Sequence, residues 1–286
     1  MNISWLCDQA GVSRSGYYNW LSKAPVRHER DERDNEDFDL ILKAYPFRGY
    51  AKGRRGIYMR LLHMGIRMNL KKIRRLMDKY NLICPIRKAN PYRRMAKALK
   101  TDSVSTNLVN REFDQHVAGM ILLTDITYLF YNNGNKAYLS VIKDGCTKQA
   151  LVHVTSESLE VDFVLETVEN LIRDHGNTLR TDAILHSDQG CHYTSISFRQ
   201  LLQDEKLRQS MSRRGNCWDN APQESFFGHM KDELHLGSCS SFESLKAEID
   251  NYMDYYNNDR YQWDLAKLSP NQYAEYLRTG DYPIKV

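Results

Sequence analysis

The sequence predicts two folded parts of different class: a basic, mostly helical first half, then an α/β half in which a mixed sheet carries helices on its faces. Three observations predict this. Residues 1–116 hold 24 Lys+Arg against 12 Asp+Glu, a net +12, whereas residues 117–286 hold 16 against 24, a net −8. Apolar residues recur with helical period in the first half, but after Gly119 they come in alternating or continuous runs bounded by turn residues. Those strand runs are followed by alternating helix and strand patterns, the order that builds a mixed sheet between helical layers.

With 286 residues, of which 42% are hydrophobic, the chain can bury a core in each part. No stretch approaches the roughly 18 consecutive apolar residues of a membrane span. The start, MNISWLCDQAG, has neither a basic head nor an unbroken apolar run, so neither secretion nor membrane insertion is expected. Cys7, Cys84, Cys146, Cys191, Cys217 and Cys239 form no CxxC pair, which argues against a zinc ribbon and a disulfide framework. Reduced cytoplasmic thiols are expected.

Taken in order, residues 3–22 sketch a helix-turn-helix: a short helix, a turn at Gly11, a Ser13 cap and a second helix. The acidic stretch from Glu29 to Asp39 looks like a solvated connector running into an amphipathic segment that ends near Pro46. RRGIYMRLLHMG then predicts a helix closed by Gly65, and NLKKIRRLMDKY another capped by Asn69. In the latter, Leu70, Ile73, Leu76, Met77 and Tyr80 share a core face, with Lys71, Lys72, Arg75 and Lys79 on the other. Residues 41–100 carry 18 basic side chains and a single acid, Asp78, so this segment repels itself unless it meets a polyanion. Nucleic acid is the expected partner, through Arg54, Arg55, Lys71, Lys72, Arg74, Arg75 and Lys79; a solvated basic surface is the competing reading. A Pro-interrupted basic stretch, RKANPYRRMAKALK, leads to a boundary near residues 100–115.

The second half opens with a three-strand antiparallel meander: GMILLTDITYLFY, a turn at Asn132, Asn133 and Gly134, then KAYLSVIKD and QALVHVT. A helix from about Glu157 to His175 follows, then a short strand AILHSD and a helix from Ser195 to Glu205. A strand near Arg208, a helix from Pro222 to His235 and two terminal helices, near 242–257 and 270–278, complete the pattern. Asp125 closes an apolar run, Asp188 follows a short strand, and Glu224 lies in the first turn of a helix. Strand ends are rigid and neighbouring, so these carboxylates can share a cleft. Clustered carboxylates repel one another and need cations; hard oxygen donors suit Mg²⁺ or Mn²⁺, and two such ions serve phosphoryl transfer. Taken singly, each could be a cap or a surface acid. Arg213, Arg214 and Asn216 form a turn-rich approach to the Glu224 helix and can hold phosphates. Lys231 shares a face with Glu224 two turns on. His186 is expected to orient or pack near Asp188 rather than act as a base, and Tyr252, Tyr255, Tyr256 and Tyr261 to pack rather than attack.

Thirty-five residues separate Asp188 from Glu224. With the words TDITY, HSDQGCHYTS and RRGNCWDNAPQESFFGHMKDEL, the chain resembles the D,D(35)E transposases with a retroviral-integrase-like core. It looks like the second-reading-frame transposase of a bacterial insertion-sequence family that moves by a copy-out, paste-in route. FRGYAKGRRGIYMRL and YYNNDRYQWDLAKLSPNQY extend the likeness over essentially the whole chain. The resemblance implies a ribonuclease-H-like fold and Asp125, Asp188 and Glu224 as ligands of two Mg²⁺ or Mn²⁺ ions. It also implies a basic residue, here Lys231, near the DNA terminus. Leu122 stands where many members carry Trp, and no HHCC zinc module is present. The implied organisation is a helix-turn-helix-type DNA-binding region over 1–100, a linker at 101–115, the catalytic core at 116–240 and a helical tail at 241–286. The expected activity is cleavage at an element's end and strand transfer by at least a dimer, acting on element-end and target DNA, with the upstream-frame protein as a candidate partner. A DNA-binding regulator of the frameshift fusion, or a nuclease without strand transfer, are the alternatives.

Overall fold

The computed structural model describes residues 2–85, 107–109, 117–212 and 220–284. The chain divides into two compact units, residues 1–85 and 86–285. Among the described residues no helix is long and apolar enough to cross a membrane, and the five described cysteines are free thiols.

The first unit is helical. Helices α1 (Ile3–Gln9) and α2 (Arg14–Ser22) meet at a turn where Gly11 takes the left-handed backbone that its missing side chain permits. Ser13 caps α2 by accepting the Gly16 N–H at 3.0 Å. Helices α3 (Ala24–Ala44), α4 (Arg54–His63) and α5 (Leu70–Lys79) pack around Ile41, Ile57, Leu61, Ile73 and Leu76, all fully buried. Asn69 opens α5 by accepting the Lys71 N–H at 2.8 Å.

The acidic stretch Glu29–Asp39 is not the solvated connector expected; it is the middle of α3. Asp31, Asp34 and Asp37, one turn apart, reach the basic side of α5. Asp34 accepts both terminal nitrogens of Arg75, at 2.7 and 2.6 Å, and Lys79 Nζ at 3.0 Å. Lys79 also reaches Asp31 at 2.6 Å, and Lys72 pairs with Asp37. The hydrogen bond from Arg75 holds the Asp34 carboxyl well below the usual carboxylate range, with Lys79 assisting against burial.

Asp34→Ala is expected to cost this unit about 1–3 kcal/mol, less than for a fully buried pair because the cations stay partly in water. Since the folded pKa is depressed, the stabilisation is complete above the ordinary carboxylate pKa of about 4 and is lost as pH falls below it. Urea melts of wild type and variant should therefore separate fully at neutral pH, and the gap should begin to narrow as pH falls below about 4 and close only as pH approaches the depressed folded-state pKa; a gap that ignores pH would refute the pairing.

The second unit is built on a five-stranded sheet of order β3-β2-β1-β4-β5. Strands β1 (Ile121–Tyr131), β2 (Asn135–Asp144) and β3 (Ala150–Ser156) form the expected antiparallel meander. Strands β4 (Ile184–Ser187) and β5 (Arg208–Met211) add in parallel beside β1. This is the mixed sheet of the ribonuclease-H-like class. One face is covered by α6 (Asp162–His175) and α8 (Ile196–Asp204), preceded by the short α7 (Cys191–Thr194), over a core of Leu122, Ile142, Val164, Leu171, Leu185 and Phe198. Leu122 is fully buried in that core.

Because strand side chains alternate, Val141 and Lys143 face away from Ile142, toward α9 (Ala221–Glu233) and α10 (Phe242–Asn258). The tail packs within this unit. Asn257 of α10 pairs with both backbone groups of Ala150 at 2.9 and 2.8 Å, satisfying the edge of β3 as a further strand would. Arg260 grips Glu233 at the end of α9 through Nε and Nη2, at 2.8–3.1 Å, and the Tyr252 hydroxyl donates to the same carboxylate. Helix α11 (Pro270–Thr279) opens on a Ser269 capping box. Tyr252, Tyr255 and Tyr256 are buried, in the packing role expected of them.

Candidate active site

The register of the sheet places the first two carboxylates. Strands β1 and β4 pair in parallel through Ile121↔Ile184, Leu122↔Leu185 and Leu123↔His186. Continued two residues further, the same register points to Asp125 on β1 and to Asp188, the residue that follows the end of β4. Only β4 ends there; β1 continues to Tyr131 against β2, so Asp125 lies within its strand and not at the strand end expected. Its N-terminal neighbours have β4 beside them, while Asp125 itself has lost that neighbour and can face a cleft.

Glu224 arrives on α9. The first turn of that helix is pinned to the sheet by Gln223, fully buried, whose Nε2 donates to Val141 O at 3.3 Å. Val141 is the cross-strand partner of Asp125, so the same contact brings the Glu224 turn over Asp125. Asn220, the cap position of α9, makes no capping bond and donates its side-chain amide to Asp125 Oδ2 at 3.2 Å. The other Asp125 oxygen accepts the Ile126 N–H at 2.8 Å.

The electrostatics follow from this crowding. Burial is the largest cause raising the Asp125 carboxyl to about 8, the charge of Asp188 adds to it, and Glu224 adds a smaller push. The Ile126 N–H and Lys231 oppose the rise. Lys231 lies over the Tyr128 ring at 4.8 Å and is lowered by burial, with Asp125 pulling it back up. Asp125, Asp188, Glu224 and Lys231 thus share one electrostatic neighbourhood. They are neighbours and not a closed cage: among the described residues no three His, Cys, Asp or Glu side chains are grouped to hold an ion.

The donor set still fits a hard divalent cation. Carboxylates that oppose one another's ionisation are relieved by such an ion. Asn220 Oδ1, buried beside Asp125, has no hydrogen-bond partner among the described residues, a further oxygen oriented by the same residue that holds the carboxylate.

Further residues support the site, of which Gly190 carried no sequence signal. Asp188 Oδ1 accepts the Gly190 N–H at 2.9 Å, and a Cβ on Gly190 would stand 2.9 Å from that oxygen, so glycine lets the loop close on the carboxylate. Tyr193 is buried beneath the site, its hydroxyl 3.5 Å from Thr124 Oγ1, and it serves as wall. His186, fully buried, is tied to Ser210 of β5 through Nδ1 at 2.9 Å. Arg213, Arg214 and Asn216 lie outside the described residues.

In the first unit, Arg54, Arg55, Lys71 and Arg74 are solvent-exposed. Lys72, Arg75 and Lys79 are engaged by α3, and Arg74 approaches Asp78 at 3.7 Å.

Comparison with known proteins agrees with this architecture. The family description "Integrase core domain" matches residues 115–217, a second description of the same name matches 224–276, and "HTH-like domain" matches 32–90, on α3, α4 and α5. An uncharacterized 31 kDa protein of insertion element IS600 from Shigella sonnei is 30% identical over 276 residues, 94% of this chain and 97% of its own. An uncharacterized transposase-like protein of Haemophilus influenzae is 34% identical over 73% of this chain and 94% of its own. Transposase InsF for insertion sequence IS3A of Escherichia coli is 27% identical over 95% and 93%. Among solved structures, a chain of the simian T-cell lymphotropic virus intasome, in complex with PP2A regulatory subunit B56 gamma, has TM-score 0.50 at 13% identity over 82% of this chain and 75% of that one. That likeness concerns the fold alone. With an HTH-like region followed by an integrase core, and end-to-end similarity to insertion-element proteins, the chain belongs to the family of insertion-sequence transposases.

Proposed function

We propose that this transposase cleaves DNA at the ends of its element and joins the freed 3′ ends to another phosphodiester, using Asp125, Asp188 and Glu224 to hold two Mg²⁺ or Mn²⁺ ions. The observation that carries the reading is the Asp125 carboxyl raised to about 8 beside two further acids. A buried carboxyl perturbed by its own burial and by neighbouring acids is a frequent mark of a functional site. Two bound divalent cations would supply the activation of the attacking oxygen and stabilisation of the leaving one.

The chain's own residues supply the geometry. Asn220 and the Ile126 N–H orient Asp125, the Gly190 N–H orients Asp188, and Gln223 fixes the turn that carries Glu224. Lys231 holds a phosphate of the terminal nucleotide against these acids. In the first step a water oxygen bonds to phosphorus, the P–O3′ bond breaks, and the 3′ oxygen leaves with a proton. In the second, that 3′-OH attacks a phosphodiester in line, losing its proton as the new P–O bond forms and the old one breaks. No covalent protein intermediate is needed. Two ends must be handled together, so the active assembly holds at least two copies. Residues 1–100 serve as DNA-binding region, 101–115 as linker, 116–240 as catalytic core and 241–286 as a brace for α9.

The test is incubation of the full chain with labelled element-end DNA and Mg²⁺ or Mn²⁺. Joined products support the proposal; cleavage with no joining makes the protein a nuclease; neither, with DNA binding intact, makes it a regulator.

In the DNA-binding region, Lys71, Arg74, Arg54 and Arg55 are the proposed phosphate contacts, and Arg213, Arg214 and Asn216, which lie outside the described residues, are proposed to join them. Lys72, Arg75 and Lys79 contribute less, because they would have to leave α3. Replacing Lys71 and Arg74 together by Ala should weaken binding to all duplexes alike. It should also lower the slope of log affinity against log salt by about 0.9 for each phosphate that is no longer neutralised. An unchanged slope would remove those two residues from the interface.

A further inference from the structure

On α9 the residues Pro222, Phe226 and His229 lie nearly opposite Glu224 and Lys231, since each residue turns the helix by about 100°. They line a cleft of about 310 Å³ closed on its other sides by the end of β2 and by the tail. Its charged lining is Lys143, Lys148, Arg260 and His229, against a single acid, Asp264. Arg260 gives Nε and Nη2 to Glu233, and Lys148 donates to Gly145 O at 2.6 Å.

Lys143 is different. It is 3% exposed, and among the described residues its ammonium has neither a hydrogen-bond acceptor nor a carboxylate. Its nearest groups are the faces of Phe226 and Tyr256, with ring centroids at 4.4 and 5.5 Å. Burial drives its pKa well below the ordinary lysine value, and Lys148 and Arg260 push the same way. Gln262 lines the same cleft, with its side-chain amide directed at the Tyr256 hydroxyl. Stability alone would favour methionine at position 143, because an unpaired buried ammonium is costly and aromatic faces offset only part of it. A buried lysine left without an acceptor in a cationic cleft is what an anion would complete.

We propose that this cleft is an oxyanion site that takes a phosphate group, held by Lys143 with Lys148 and Gln262. The group is either free phosphate or a phosphodiester of DNA; both present the same acceptor oxygens. Occupancy restores the positive charge of Lys143 and bears on α9 from the side opposite Glu224.

The test uses the full chain, wild type and Lys143→Met, with inorganic phosphate against chloride of equal ionic strength. In wild type phosphate should raise Tm beyond chloride. Lys143→Met should melt higher than wild type without phosphate, and its phosphate affinity should be about 10- to 100-fold weaker, the worth of one charge-assisted contact. A variant that melts higher has folded, so loss of the phosphate response cannot be laid to misfolding. The source is separated by acetic anhydride labelling, read by mass spectrometry as the labelling rate of Lys143 itself through the cleft, with and without each ligand. Protection of Lys143 by phosphate but not by duplex DNA identifies a free oxyanion; protection by duplex DNA in phosphate-free buffer identifies a phosphodiester. A phosphate response equal in wild type and variant, or labelling that neither phosphate nor DNA slows, would overturn the proposal.

Discussion

Asp188→Asn is expected to reduce end cleavage and strand transfer by at least about 10³-fold, equivalent to about 4 kcal/mol of transition-state stabilisation, while leaving duplex binding near wild type. The substitution is informative because it conserves shape. Asparagine retains an oxygen able to accept the Gly190 N–H, so the turn from β4 into α7 is kept. What is lost is the negative charge, and an amide nitrogen facing a divalent cation is repelled where a carboxylate oxygen is held. Asp188 is only partly buried, and the bond its carboxylate accepts from Gly190 spans two residues of one loop, so the substitution leaves the sheet core untouched. Two measurements on one preparation decide the matter: product formation from labelled end DNA, and affinity for the same duplex by anisotropy. Equal loss of both would make Asp188 a folding residue, and undiminished cleavage would remove it from the site.

The second unit was legible in the sequence because its elements announce themselves locally. Alternating runs predicted β1, β2 and β3, the four-residue apolar word before Asp188 predicted β4, and helical period predicted α6, α8 and α9. Register then does what sequence spacing alone does not: it brings Asp125 on β1 and Asp188, just past the end of the adjacent β4, to the same part of the sheet although they are 63 positions apart. The first unit was harder because its decisive contacts are remote in sequence. Asp34 is 41 and 45 residues from Arg75 and Lys79, and Asp31 is 48 from Lys79. A charge count over residues 41–100 therefore registers the cations and omits the acids that face them. Before Phe38 the apolar positions of α3 are too sparse to show a period, which is why a helix looked like a connector. Lys143 was hidden for the opposite reason. In NKAYLSVIKD it falls where an outward polar residue belongs, and only the placement of α9 and α10 over that face reveals that it is buried. Asn220 and Gly190 read as ordinary turn residues until the side chains they orient are in place.

In chelator, the folded protein should lose stability as pH rises through neutrality, and Asp125→Asn should remove much of that loss. Burial first, and then Asp188, hold the folded Asp125 carboxyl up at about 8, whereas the unfolded chain titrates near the ordinary value of 3.8. Between those values the folded state keeps a proton that the unfolded state has released, so stability falls as pH rises and the full penalty is reached above about 8. An asparagine at 125 keeps the acceptor for the Ile126 N–H and has no proton to lose, so the variant gains on wild type through the same window. Each kcal/mol of difference appears as about 2–4 °C in Tm for a chain of this size. Divalent cation should act in the opposite sense, because it binds the ionised form. At saturation of about 100 times its dissociation constant it contributes about 2.7 kcal/mol, or about 5–10 °C, to wild type at pH above about 7. It should contribute little to Asp125→Asn, where one of the three carboxylates is gone, and little to wild type near about pH 5, where Asp125 still holds its proton. Thermal melts in chelator and in Mg²⁺ across this range measure all four quantities. A wild-type Tm that is flat with pH in chelator would show that Asp125 is not held protonated. Equal stabilisation of wild type and variant by Mg²⁺ would place the ion elsewhere on the molecule.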